Sequence, residues 1–187
     1  MLSINNFLNK DELSIVNTRL IDNDYFPWYH MKESSSDAYP FYGHILMRRG
    51  GEIASEWFDF FYPILDRFVT EHLKISEYEI IRGCVNDSLS HDDKACDPHV
   101  DFEEDHIVII MYLTNSTGDT TIYEEQWNIE KPPTYLNKDN NHNLTIASTV
   151  TPKQGKILGF DGLNYHSIDF KKCTDRRIIT IFAIKEK

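Results

Sequence analysis

Basic side chains are scarce in this sequence: 19 Lys and Arg stand against 30 Asp and Glu, a formal charge of −11. A surface of that sign repels phosphate backbones and anionic membranes, so nucleic acid is not an expected partner. Cysteine is scarcer still. The three residues Cys84, Cys96 and Cys173 are odd in number and irregularly spaced, which excludes a disulfide framework and a cysteine-based zinc cluster and suits a reducing compartment. Eight glycines and seven prolines are too few for a low-complexity or collagen-like chain. No apolar run approaches the roughly 18 residues needed to cross a bilayer. The N-terminus, Met1-Leu2-Ser3-Ile4-Asn5-Asn6, lacks the basic-then-apolar pattern of a secretion signal. A cytoplasmic protein made of a single globular domain over residues 1–187 is therefore expected.

What is present divides at about residue 76. Residues 9–21 read as an amphipathic helix, with Asn9 as N-cap, Glu12 completing a capping box, and Leu13, Val16 and Leu20 on one face. An aromatic cluster follows at Tyr25, Phe26, Trp28 and Tyr29, expected to pack over the core, and then a Ser-rich loop at 34–37. Trp57, Phe61, Ile64, Leu65 and Phe68 recur at helical spacing, predicting a second helix over 55–73 with a kink at Pro63. Residues 78–85, 106–113, 119–123, 144–150, 156–160 and 176–184 are short, rich in β-branched and aromatic residues, and bounded by Asn, Asp, Gly or Pro. No helix alternates with these strands, so the expected fold is mainly β: helical support over about 1–75, then an antiparallel sandwich or barrel over about 77–187. The polar stretch 124–143 reads as a lid or as a plain loop.

His99-Val100-Asp101 is the chemically informative tripeptide. Residues two apart on an extended chain point to one side, roughly 6–7 Å apart at the backbone, so both can reach one metal ion. The tripeptide alone decides little, and a second copy begins at His91. Context separates them. His91 lies in a polar stretch, whereas His99 and Asp101 lead into the apolar run Ile107 to Leu113, a rigid element able to hold ligands. His166, just past the strand at 156–160, is the candidate third ligand, and two His with one carboxylate is the arrangement of non-haem Fe(II) oxygenases. Ten residues further on, Arg176 opens a strand whose period groups Arg176, Ile178, Thr180 and Phe182 on one face and Arg177, Ile179 and Ile181 on the other. A buried guanidinium there needs an anion, which a dicarboxylate co-substrate supplies through a bidentate pair, and Arg176 is preferred over Arg177 for that role.

The order His99-x-Asp101, His166, Arg176 and then Ile179-Thr180-Ile181 resembles the 2-oxoglutarate- and Fe(II)-dependent dioxygenases, and within them the prolyl-4-hydroxylase-like group. The likeness spans residues 80–184. Met111-Tyr112-Leu113-Thr114-Asn115 resembles a strand end whose Tyr binds the far carboxylate of 2-oxoglutarate, Gly118-Asp119-Thr120 the turn after it, and Pro152-Lys153-Gln154-Gly155-Lys156 the approach to the distal His. The resemblance implies a double-stranded β-helix, or jelly-roll, related to cupins. It implies Fe(II) on His99, Asp101 and His166, with Arg176, Tyr112 and Thr180 around the co-substrate and Asn86 where many relatives carry a Tyr. It also implies O2 as oxidant, ascorbate as a supporting reductant, and conversion of 2-oxoglutarate to succinate and CO2 while an unactivated C–H bond is hydroxylated. The substrate would be a peptidyl proline, another amino acid or a small molecule. Asp101 favours hydroxylation over halogenation, because related halogenases lack this carboxylate.

The competing readings are a zinc hydrolase built on the same three ligands, and a non-catalytic cupin-like binding barrel. His106 is expected as a surface residue at a strand start. His30, His44, His72 and His142 are expected to be structural, and Cys96 to be a small packed residue.

Overall fold

The structure is a computed structural model that describes residues 1–32, 40–89, 96–128, 144–169 and 176–187. The Ser-rich loop, the His91 tripeptide, Cys173 and most of the 124–143 insertion lie outside the described residues. In chain order the elements begin with β1 (Leu2–Ile4) and α1 (Lys10–Val16), the latter running into a π-helical turn at Asn17–Ile21. Then come β2 (Tyr29–Met31), β3 (Phe41–Met47), and α2 (Trp57–Phe68) with its π-helical extension Val69–Leu73. The remaining strands are β4 (Tyr78–Ser88), β5 (Ile107–Tyr112), β6 (Thr120–Gln126), β7 (Ile146–Val150), β8 (Ile157–Asp161), β9 (Asn164–Ile168) and β10 (Arg177–Glu186).

α1 starts as its sequence dictates. Asn9 Oδ1 accepts from the Glu12 amide at 2.9 Å, and the Glu12 carboxylate accepts from the Asn9 amide at 2.8 Å, so two otherwise orphaned donors are satisfied. α2 runs unbroken across Pro63. Beyond α2 the chain departs from α geometry in the π-helical stretch, which ends at Lys74 in the left-handed region with φ 63°. Among the described residues no helix is long and apolar enough to cross a membrane.

Among the described residues all strand pairing is antiparallel, in a seven-stranded sheet ordered β1-β8-β5-β10-β4-β3-β2 and a three-stranded sheet ordered β7-β6-β9. The N-terminal part of the chain is thus more than helical support, since β1, β2 and β3 complete both edges of the large sheet. One face of that sheet is covered by the helices: Phe61, Leu65 and Phe68 of α2 pack with Val85, Ile109, Ile178 and Phe182. Each such side chain contributes about 1.5–3 kcal/mol when fully buried. The opposite face carries Ile110, Tyr112, Leu158, Phe160 and Ile179, which meet Ile122 and Val150 of the small sheet. The aromatic cluster divides, with Phe26 buried in the helical core and Tyr25 and Tyr29 exposed.

This layering settles what each face of β10 sees. Ile178, Phe182 and Ile184 point toward the helices, while Ile179 and Ile181 point between the sheets. Gly83 on β4 has its place on the helical side, where a Cβ would sit 2.5 Å from the Phe182 ring.

Candidate metal centre and its cavity

Backbone pairing brings the two histidines together. His99 and His166 form an isolated antiparallel bridge in which each amide donates to the other's carbonyl at 2.9 Å. Directly opposed residues of this kind carry their side chains on one side of the pair, and the two imidazole centroids lie 4.6 Å apart. Asp101, two residues past His99, completes the group. Ligand atoms of His99, Asp101 and His166 all lie within 4.8 Å of one another, and His166 Nε2 is 3.7 Å from Asp101 Oδ2. His166 follows the end of β8 and lies within β9, paired to Ile122 of β6.

The outer ring nitrogens are engaged by carbonyls. His99 Nδ1 lies 2.9 Å from the Asp97 oxygen, and His166 Nδ1 lies 3.2 Å from that of Asn164. A carbonyl can only accept, so each Nδ1 donates and each neutral ring keeps its Nε2 lone pair for a metal. Two imidazoles and one carboxylate so oriented fit a divalent transition metal, Fe(II) among them. Without metal, the electrostatics divide the two rings. Burial resists a protonated His99, but the Cys96 sulfur 3.8 Å away, the Asp101 carboxylate and the Asp97 carbonyl outweigh it and push the pKa up to about 9. His166 is lowered to about 4, by burial first and by the charge of His99 second. Burial resists ionisation of Asp101, yet the two histidines hold its pKa below the usual carboxylate value.

Arg176 is not where the sequence places it. Its guanidinium donates from Nε and Nη2 to Asp87 Oδ2 at 2.9 and 2.7 Å, and it lies over Trp28 with 44% of its side chain exposed. The neighbouring Arg177 is fully buried. It shares a strand face with Ile179 and Ile181, donates to the Gly118 carbonyl at 3.0 Å and to Thr120 Oγ1 at 2.8 Å, and lies 5.8 Å from the Tyr112 ring. The reason is register: residues 178, 182 and 184 of β10 go to the helical core, so odd-numbered positions face the space between the sheets. Thr180 is corrected for the same reason. It belongs to the even-numbered side and is fully buried, with no partner for its hydroxyl among the described residues.

Tyr112 is buried between the sheets, and its hydroxyl donates to Thr120 Oγ1 at 2.8 Å. Asn86 lines a cavity that reaches His99 and Asp101, as do Cys84, Arg82 and Phe102. Thr120 was missed by sequence reasoning as a site residue, and Arg177 was weighed but ranked behind Arg176. The available signal was the large apolar side chain at Phe182, which marks the even-numbered side of β10 as core. His106 is another correction. It is 5% exposed, its Nδ1 donates to the Glu104 carbonyl at 2.7 Å, and Gly162 leaves room for its ring. His44 is structural as expected, bonded to the Pro27 carbonyl and Ser55 Oγ, and Cys96 is a small buried residue.

No protein-family model matches the sequence, and no curated protein matches it. Solved structures do match. An oxidoreductase of the 2OG-Fe(II) oxygenase family from Burkholderia pseudomallei superposes with a TM-score of 0.67 at 12% identity, covering 98% of this chain and 84% of that one. The non-haem α-ketoglutarate-dependent carbocyclase SnoK of nogalamycin biosynthesis gives 0.71 at 8% identity, covering 99% and 79%. HygX from Streptomyces hygroscopicus, with nickel and 2-oxoglutarate bound, gives 0.58 at 12% identity, covering 100% and 82%. At these identities the likeness defines the fold, which is the one these 2-oxoglutarate-dependent enzymes share.

Proposed function

We propose that the protein is an Fe(II)- and 2-oxoglutarate-dependent dioxygenase, built as a single double-stranded β-helix domain, that hydroxylates an unactivated C–H bond of an amino-acid or other small-molecule substrate. The observation that carries this reading is the His99, Asp101 and His166 triad, its ligand atoms within 4.8 Å of one another in a protein of this fold. Fe(II) held there would supply open coordination positions at which 2-oxoglutarate and O2 react, yielding succinate, CO2 and an oxidised C–H carbon.

The chain's own side chains have distinct tasks. His99 and His166 present Nε2, and Asp101 supplies the negative charge. Arg177 takes the role expected of Arg176: with Tyr112 and Thr120 it forms a buried donor group for the far carboxylate of 2-oxoglutarate. Ile179 and Ile181 line the cavity that reaches His99 and Asp101 and keep water from the reacting groups.

Purified protein supplied with Fe(II), 2-oxoglutarate and ascorbate should release succinate above a His99→Ala control. Equal release from the two, with iron shown to be bound to the wild type, would defeat the reading. Retained 2-oxoglutarate binding in Arg177→Gln would instead favour a zinc hydrolase on the same ligands. The SnoK likeness makes product analysis part of the test, since a carbocyclase and a hydroxylase differ in what they leave on the carbon.

A further inference from the structure

His99 and His166 are held by main-chain pairing, but Asp101 lies beyond that support. It sits two residues past the bridge, on the stretch 101–106, which belongs to no helix or strand before β5 begins at Ile107. A carboxylate on such a stretch stays at the metal only if something fixes the loop that carries it. His106, at the far end of the loop, is placed to do so.

Three contacts tie this buried residue to its surroundings. Its Nδ1 donates to the Glu104 carbonyl at 2.7 Å, which closes the end of the loop on itself. Its ring meets that of Phe102, the residue after Asp101, at 5.1 Å between centroids and 78° between planes, an edge-on aromatic contact. Its carbonyl accepts from the Gly162 amide at 2.8 Å. Gly162 lies in the turn between β8 and β9, and β9 carries His166. His106 thus touches both the segment bearing Asp101 and the turn leading to His166, and a charge on its ring would be felt at each of those ligands. Phe102 is held from a second side by Arg49, in the β3–α2 connection, whose guanidinium lies 4.3 Å from the ring centroid.

The surroundings are shaped to admit the imidazole. Gly162 is not among the residues with positive φ, so its backbone conformation does not call for glycine. A Cβ at that position would instead overlap the His106 ring. The ring nitrogen Nε2 is also buried with no hydrogen-bond partner among the described residues. Burial in that state is a cost that an apolar side chain would avoid, so core packing alone does not account for histidine here.

Resting on the reading of the triad as a metal centre, we infer that His106 is a positioning residue: its ring, packed against Phe102 and Gly162, holds the Asp101 carboxylate in place for the metal.

A residue that acts through Asp101 should matter only while Asp101 is present. Calorimetric Ni(II) titrations of the full chain compare wild type, His106→Ala, Asp101→Ala and the double variant, with metal-free thermal melts confirming that each is folded. His106→Ala should weaken Ni(II) binding ten-fold or more, yet change it less than two-fold when added to Asp101→Ala. Gly162→Ala, which keeps the histidine but displaces its ring, should weaken binding at least five-fold alone and less than two-fold in the His106→Ala background. His106→Asn keeps a donor for the Glu104 carbonyl without the ring, and should stay within three-fold of His106→Ala. Unchanged affinity in folded His106→Ala would overturn the inference, as would an undiminished loss in the Asp101→Ala background, which would place the effect on the histidines or on the fold at large. Full recovery in His106→Asn would also overturn it, because the loop bond and not the ring would then do the positioning. Should His106→Ala fail to fold, Gly162→Ala decides, and wild-type affinity there would refute the role of the ring. A wild type that binds no Ni(II) would defeat the metal-centre reading itself, a separate result.

Discussion

Two adjacent arginines with opposite surroundings set the first predictions. Arg177→Gln should raise the KM for 2-oxoglutarate at least ten-fold in a succinate assay, because a charge-assisted, buried anchor is lost. Arg176→Gln should leave that KM within about two-fold of wild type and lower stability by about 1–3 kcal/mol in urea denaturation, since Asp87, at 3% exposure, would keep a buried charge without its guanidinium. The same pair shows where sequence reasoning stops. Alternation along β10 was legible, and so was the need for one guanidinium inside. Which face was inside depended on what packs against the strand, and Phe182, which fits over Gly83 on the helical side, was the informative residue. The triad was legible because all three residues belong to types whose chemistry and spacing speak for a metal. Protonation supplies another prediction. The pKa of His99 is raised to about 9, above the ordinary 6.5, so its proton stabilises the metal-free fold below pH 6.5 and that contribution disappears as pH rises through 9. Metal must displace this proton, so Ni(II) affinity should climb by up to ten-fold per pH unit from pH 7 to 9, with about one proton released, and then level off. Titrations at pH 7, 8 and 9 check this, and a flat profile would contradict it.

Among elements, α2 packs closely against the large sheet at β8. A Cβ at Gly159 on β8 would lie 2.8 Å from the Phe68 ring, with Leu73 close behind. Gly159→Ala should therefore cost about 1–3 kcal/mol through overpacking, measured as a lowered denaturation midpoint, with 2-oxoglutarate affinity preserved if the metal side chains remain in place on the far face. The strongest elements were readable from pattern: the capping box of α1, the aromatic stripe of α2, and the six strands from β4 to β8 and β10. β3, paired on both edges by β2 and β4, escaped notice because its Phe41-Tyr42-Gly43-His44 start lacks clear alternation. β9 escaped because Asn164-Tyr165-His166-Ser167-Ile168 is polar where it pairs with β6. The short edge strands β1 and β2, three residues each, are defined by their partners and not by their own composition.

For the whole molecule, the sequence divides at the start of β4, but the fold does not. N-terminal strands close both edges of a sheet whose centre is built from the last hundred residues, so each half completes the other. Metal should be felt across that assembly. Ni(II) binds only the folded triad, and it should raise the Tm of the wild type by several degrees at saturating metal while leaving His166→Ala unmoved. Thermal melts with and without metal, compared with a chelator control, provide the check.

The paired amide-to-carbonyl bonds between residues 99 and 166 hold two sockets face to face by main chain alone. Side-chain identity at those sockets is then free to change without loosening the frame. Exchanging imidazole for thiolate at either position would retune which ion the protein prefers, so this pair of strands is a ready chassis for building metal selectivity by substitution.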